Sequence, residues 1–437
     1  MSSRGGTARI AESHRIFSGS TWLLAGKGIQ MGAGFLFWVI AARSLSLTEV
    51  GVAAAAASAV MLCTQFGILG TGAAVIVGIG RRQDPARTLD LAFTLLGLAS
   101  IVAAGGYLTF AGLFGSRALF MGQAAAFGAV FVVAALFGTA IICLDQASVA
   151  FGRPDASVLR YGLGAAVSAG SLLLVSSVME DLDALQVFVC WSLASVLASL
   201  VGALQLRAWM GYRYRPFLQF SAVRGMLRVG LPNQLLTVTE RVTPALVPLI
   251  LGYVVSPELT AHWYPAWMMA WVAFTVPISA GLLQFADAVN NPAGLSRTVR
   301  RGITWSLLVG GAIAVVLGIS APTLLGFLGD QYADSSASAL RILSLGLVPF
   351  AVLQGYNAAC RALGRQSEAI LLGLSTAVAV CLTVGRLAPH GVTAVAWGWL
   401  VVTSAAGLLA LSRFSRLSAL ASNVAVADAG PREVARG

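Results

Sequence analysis

Lysine is nearly absent from this chain, and charge of any kind is scarce. One lysine, Lys27, stands against 27 arginines, and only 10% of the 437 residues are charged, against 58% hydrophobic. A mean hydropathy of +0.84 excludes a soluble globular protein and leaves a polytopic membrane protein. Histidine is almost as rare: His14, His262 and His390 lie far apart, and no HExxH, GxSxG or Walker loop occurs. No catalytic residue, metal ligand set or cofactor site is expected. Five cysteines fall in apolar segments without CxxC spacing, which points to packing rather than disulfides or metal. No signal peptide is expected either, because the first apolar run is too long for one and carries Lys27.

What the chain has is long apolar runs. They fall at 18–42, 50–79, 89–114, 120–144, 158–178, 184–206, 229–253, 262–286, 302–328, 338–360, 368–386 and 391–412, about twelve transmembrane helices of an all-α integral membrane protein. With the N-terminus in the cytosol, 22 of the 28 basic residues lie in cytosolic segments, Arg153 and Arg160 among them. The positive-inside rule then places both termini in the cytosol of a multi-pass plasma-membrane protein. It also accounts for most of the net charge of +11 without nucleic acid.

Loops repeat at a shift near 210. Ala86-Arg87-Thr88-Leu89 matches Ser296-Arg297-Thr298-Val299, and Ala150-Phe151-Gly152-Arg153 matches Ala362-Leu363-Gly364-Arg365. On the outer side Ser46 to Glu49 matches Ser256 to Glu258. A duplicated six-helix unit follows, giving two pseudo-symmetric lobes around a central cavity. The expected division is a disordered tail over 1–14, a first lobe over 15–207, a cytosolic linker over 208–228, a second lobe over 229–413 and a disordered tail over 414–437. The linker mixes aromatics with Arg213, Arg215, Arg224 and Arg228, a composition suited to the headgroup layer of membrane lipids and to an interfacial helix.

Polar residues inside apolar runs carry the functional signal. Lys27 sits roughly 15 Å into a hydrocarbon layer about 30 Å thick, where an unpartnered ammonium costs at least a few kcal/mol. Glu240 and Arg241 lie at similar depth in the seventh run, just before Pro244 and Pro248. Around them Gln30 and Trp38 in the first run, Gln65 in the second, Asn233, Gln234 and Thr237 in the seventh, and Gln354 and Asn357 in the tenth are candidate cavity-lining residues. A kink is expected at Pro349. Two readings of the charges are open. One is a buried ion pair between Glu240 and Lys27 or Arg241. The other is a wet cavity with surplus positive charge that attracts a phosphate or pyrophosphate, with Arg241 gripping it bidentately and Lys27 acting as a point charge. Glu240 is then the candidate ion-coupling group, titrating or taking Na+.

Four stretches resemble a known family: Gly19-Ser20-Thr21-Trp22, Ala42-Arg43-Ser44-Leu45 through Glu49-Val50-Gly51, Glu240-Arg241, and Leu363-Gly364-Arg365. They are similar to the polysaccharide and oligosaccharide-lipid flippases (Wzx-like) of the multidrug/oligosaccharidyl-lipid/polysaccharide exporter superfamily. The resemblance implies two six-helix lobes, alternating access and a central cationic cavity that holds Lys27 and Arg241, with Glu240 where the family more often has aspartate. It implies a polyprenyl-(pyro)phosphate-linked saccharide as substrate, moved from the cytosolic to the outer leaflet for cell-surface polysaccharide biosynthesis. Polysaccharide polymerases or glycosyltransferases are then candidate partners, and H+ or Na+ the candidate coupling ions. The chain has Ser46-Leu47 where the family shows Gly-Pro, and it lacks the extra helix pair of lipid II flippases. The alternative is a cation-coupled antiporter of the multidrug-extrusion type that exports small organic molecules.

Overall fold

In lipid, backbone groups must find their hydrogen bonds internally, and every regular element among the described residues is helical. The structure, a computed structural model, describes residues 26, 28–80, 84–113, 124–179, 181–290 and 294–428. In its first half lie α1 (28–44), α2 (Leu47–Gly67), α3 (Thr71–Gly80), α4 (Pro85–Leu113), α5 (Ala124–Ala150), α6 (Ala156–Val178) and α7 (Ala184–Met210). Next come α8 (Phe220–Val254), α9 (Pro257–Asn290), α10 (Leu295–Trp305) and α11 (Gly311–Gly326). The chain continues through α12 (Asp330–Leu345), α13 (Leu347–Ala362), α14 (Gln366–Leu387) and α15 (Val392–Asp428). Among the described residues ten helical segments are long and apolar enough to cross a membrane. The other two expected spans fall on α1 and on α9, the latter 34 residues long.

Two compact units divide the chain, Met1–Arg241 and Val242–Gly437. In the first, α2 is buried on all sides from Val50 to Val60, where alanines let neighbouring backbones come close. Its N-cap is Ser46, whose side chain accepts the Glu49 N–H at 3.3 Å. A second core gathers Leu89, Leu96, Leu144 and Leu206 with Tyr212 and Met226. In the second unit, Trp263, Trp267, Phe274, Phe350 and Trp399 from α9, α13 and α15 form a continuous aromatic cluster with successive ring centroids 5.0 to 5.9 Å apart.

Several sequence expectations change. The run 50–79 is two helices, because Leu69 and Gly70 take φ of 45° and 75° and stop α2. A Cβ on Gly70 would lie 2.7 Å from Gly230 Cα of α8, so the break rests backbone against backbone. The kink expected at Pro349 appears as a break at Gly346. Pro349 has no N–H to return to residue 345, and the Gly346 N–H closes a tighter turn on Leu343 at 2.9 Å. A Cβ on Gly346 would stand 2.7 Å from Cη2 of Trp399, so that aromatic cluster also demands glycine there. Between α10 and α11 the helix widens into a π turn, Ser306–Gly310. By contrast α8 continues unbroken past Pro244 and Pro248.

Within the linker expected over 208–228, α7 ends at Met210, residues 211–219 run without helix, and 220–228 form the start of α8. Asp90 of α4 holds the non-helical stretch, accepting from the Tyr212 hydroxyl at 2.8 Å and the Arg215 N–H at 2.9 Å. Burial first, and Asp90 second, push the Tyr212 hydroxyl above the ordinary phenol range. At the other end, α15 runs on to Asp428 inside the segment expected to be disordered, a stretch with no Gly or Pro between Gly407 and Gly430.

Candidate functional site

Helix α8 carries most of the predicted site. Arg241 lies roughly 20 Å from the Val254 end at 1.5 Å per residue, deep within a helix that is apolar enough to span. Its side chain is exposed, and that of Glu240 is half-buried. One helical turn and more toward the N-terminus, Asn233 is exposed and Thr237 half-buried, the Thr237 hydroxyl donating to the Asn233 carbonyl at 3.0 Å. Gln234 is buried and donates through Nε2 to the Gln65 carbonyl at 2.6 Å. That carbonyl lies in the last turn of α2, where the Leu69–Gly70 break removes helical donors, so Gln234 supplies what the interrupted helix lacks. Gln65 thus enters through its backbone, while its side chain is half-buried.

Lys27 lies outside the described residues. Its neighbour Gly26 is buried in the first unit, and a Cβ there would meet the Ser157 hydroxyl at 2.9 Å and the Tyr161 ring at 3.4 Å. Further along α1, Gln30 is exposed, whereas Trp38 is 2% exposed and set edge-on to Phe37 at 5.6 Å. Trp38 is therefore a packing residue in this conformation. In the second unit Gln354 and Asn357 of α13 are both buried. Gln354 lies against Gly281 of α9, one turn from Gln284, whose Oε1 is buried without a hydrogen-bond partner among the described residues. Gly302 leaves the room that the Gln284 side chain occupies, since a Cβ there would be 2.6 Å from its Cγ.

Sequence reasoning missed an extensive polar cluster among the described residues of the first unit. Arg160, assigned to a cytosolic loop, is 1% exposed and donates through Nη2 to Asp145 Oδ1 at 2.8 Å. Its Nη1 reaches Ser148 Oγ at 2.9 Å and Gln205 Oε1 at 2.7 Å. The Tyr161 hydroxyl donates to the second Asp145 oxygen, and Gln205 returns through Nε2 to the Ala156 carbonyl at 3.2 Å. Arg241 stands close enough for its charge to act on Tyr161. The structure thus brings together Asp145, Arg160, Tyr161, Ser148 and Gln205 from α5, α6 and α7. Asp145 lies near the end of α5 and Arg160 near the start of α6, on either side of one short turn.

No protein-family model and no curated protein matches the chain. Solved structures do. The lipid II flippase MurJ in an inward closed conformation superposes with a TM-score of 0.70 at 9% identity, covering 92% of this chain and 89% of that one. An outward-facing multidrug resistance MATE family transporter of the MOP superfamily gives 0.66 at 16% identity, covering 93% and 96%. A MOP superfamily transporter from Pyrococcus furiosus, described as having a binding pocket of reverse polarity, gives 0.60 at 15% identity with the same coverage. The chain has the all-α membrane-transporter fold shared by the MATE transporters and the MurJ flippase.

Proposed function

We propose that this protein is a flippase that carries a polyprenyl-(pyro)phosphate-linked saccharide from the cytosolic to the outer leaflet of the plasma membrane by alternating access. The observation that carries the reading is Arg241, an exposed guanidinium deep in a spanning helix. Turned to lipid, it would cost at least about 2.5 kcal/mol. Turned to water, it makes a cationic site whose planar fork suits a phosphate. Exposed Asn233 and half-buried Thr237 extend a polar surface along the same helix, suited to saccharide hydroxyls, and Gln30 adds a polar group on α1. Lys27 supplies the second cation of the proposed site. Glu240 is its proposed ion-coupling group, the residues 15–207 and 229–413 its proposed rocking lobes, and both termini are placed in the cytosol.

A cation-coupled antiporter for small organic molecules is the second reading, and the likeness to MATE transporters favours it. The two readings differ in the sign of the preferred ligand. Purified protein in detergent should be stabilised by a short-chain polyprenyl pyrophosphate, with a rise in Tm that disappears in Arg241→Gln, and should ignore an organic cation such as ethidium. Stabilisation by ethidium but not by the pyrophosphate would establish the antiporter instead.

A further inference from the structure

The strap between α7 and α8 has a rigidity that connecting these helices does not require. Beyond the two bonds to Asp90, the Phe217 N–H donates to Thr94 Oγ1 at 3.1 Å, and the same hydroxyl lies 3.0 Å from the Tyr214 hydroxyl. Phe93 packs between the Tyr212 and Tyr214 rings at 6.4 and 6.5 Å. Two arginines from other helix ends lie over aromatic rings that pack against the same core cluster. Arg87 of α4 sits 4.6 Å over the Phe217 ring, and Arg153, just past α5, 5.3 Å over Trp209. Both are exposed, as are Arg213 and Arg215 on the strap itself.

Next to these cations the surface turns apolar. Leu218 is 60% and Phe220 82% exposed. The strap itself holds no carboxylate, the chain having none from residue 184 to 239, and Asp90 turns inward, 9% exposed; the exposed carboxylates next in sequence to Arg87 and Arg153 are Asp84 and Asp155. All of this lies at the ends of the spans Pro85–Leu113, Ala125–Ala150 and Ala184–Met210, the level at which a bilayer changes from acyl chains to phosphates. Fixed guanidiniums beside exposed apolar side chains match a phosphate attached to a hydrocarbon tail.

We infer that the strap, with Arg87, Arg153 and Arg215 gathered around it, is a preorganised site for the headgroup of an anionic phospholipid. Leu218 and Phe220 enter the acyl layer beside it, and Asp90 acts as the positioning residue that holds the strap in its binding shape. The site is separate from Arg241 and does not depend on what the protein transports.

The test is native mass spectrometry of the full chain in detergent, titrated with phosphatidylglycerol or phosphatidylcholine of equal chain length. Phosphatidylglycerol should bind at least tenfold more tightly. The exposed triple variant Arg87→Gln/Arg153→Gln/Arg215→Gln should abolish that preference. Asp90→Asn should weaken it severalfold although it makes the protein more positive, which net charge alone predicts in the opposite direction. Should Asp90→Asn not fold, the triple variant decides. Equal binding of the two lipids, a preference that survives the triple variant, a folded Asp90→Asn that binds phosphatidylglycerol undiminished, or displacement of phosphatidylglycerol by inorganic phosphate at the same concentration would each overturn the inference.

Discussion

Asp145 and Arg160 show how context decides what a charged residue does. Both stand at helix ends, where an arginine ordinarily orients a span, yet the pair is buried and tied to Ser148, Tyr161 and Gln205. Removing one partner leaves a desolvated charge, so Asp145→Asn should destabilise the protein by about 3–5 kcal/mol. A fall in detergent Tm would register it, and Asp145→Leu/Arg160→Met should recover much of the loss. Arg241 belongs to the opposite class, exposed where exposure is expensive. Arg241→Lys keeps the charge but loses the fork and should retain part of the transport, whereas Arg241→Gln should lose nearly all of it without lowering Tm by more than a few degrees. The sequence revealed Arg241, because its depth within an apolar run is visible by counting. It hid Asp145 and Arg160, because their role depends on which side chains from α5, α6 and α7 meet.

At the scale of elements, the irregular points are the informative ones. Where α2 stops, Gly70 meets Gly230 backbone to backbone, and Gln234 satisfies the Gln65 carbonyl next to it. Gly70→Ala combines a positive φ with overpacking against a main chain that cannot move aside, and should cost about 3 kcal/mol. Gln234→Leu leaves the carbonyl short of a donor and should cost about 1–3 kcal/mol, measured by the same melting experiment. The break at Gly346 was legible from Pro349, because a missing N–H has a local effect that sequence announces. The break at Leu69–Gly70 was not, since 50–79 reads as one apolar run and only the approach of α8 reveals why it must stop. The linker was legible in composition but not in shape. Its aromatics and arginines suggested the headgroup layer, whereas the non-helical stretch 211–219 is held by Asp90, some 120 positions away.

For the whole molecule, composition and run length were enough to give an all-α membrane protein, and the superposition on MATE and MurJ structures gives the same fold. A fold does not fix a function, so any proposed cargo has to be argued from the site. The central claim is that Arg241 grips a lipid-linked phosphate while the saccharide crosses the membrane. The direct test is transport in proteoliposomes holding a fluorescent polyprenyl-pyrophosphate-linked saccharide, with outer-leaflet label quenched at intervals. Wild-type protein should move label between leaflets, and Arg241→Gln, reconstituted to the same density, should fall to the rate of empty liposomes. Equal rates for wild type and Arg241→Gln, or no movement by either, would contradict the account.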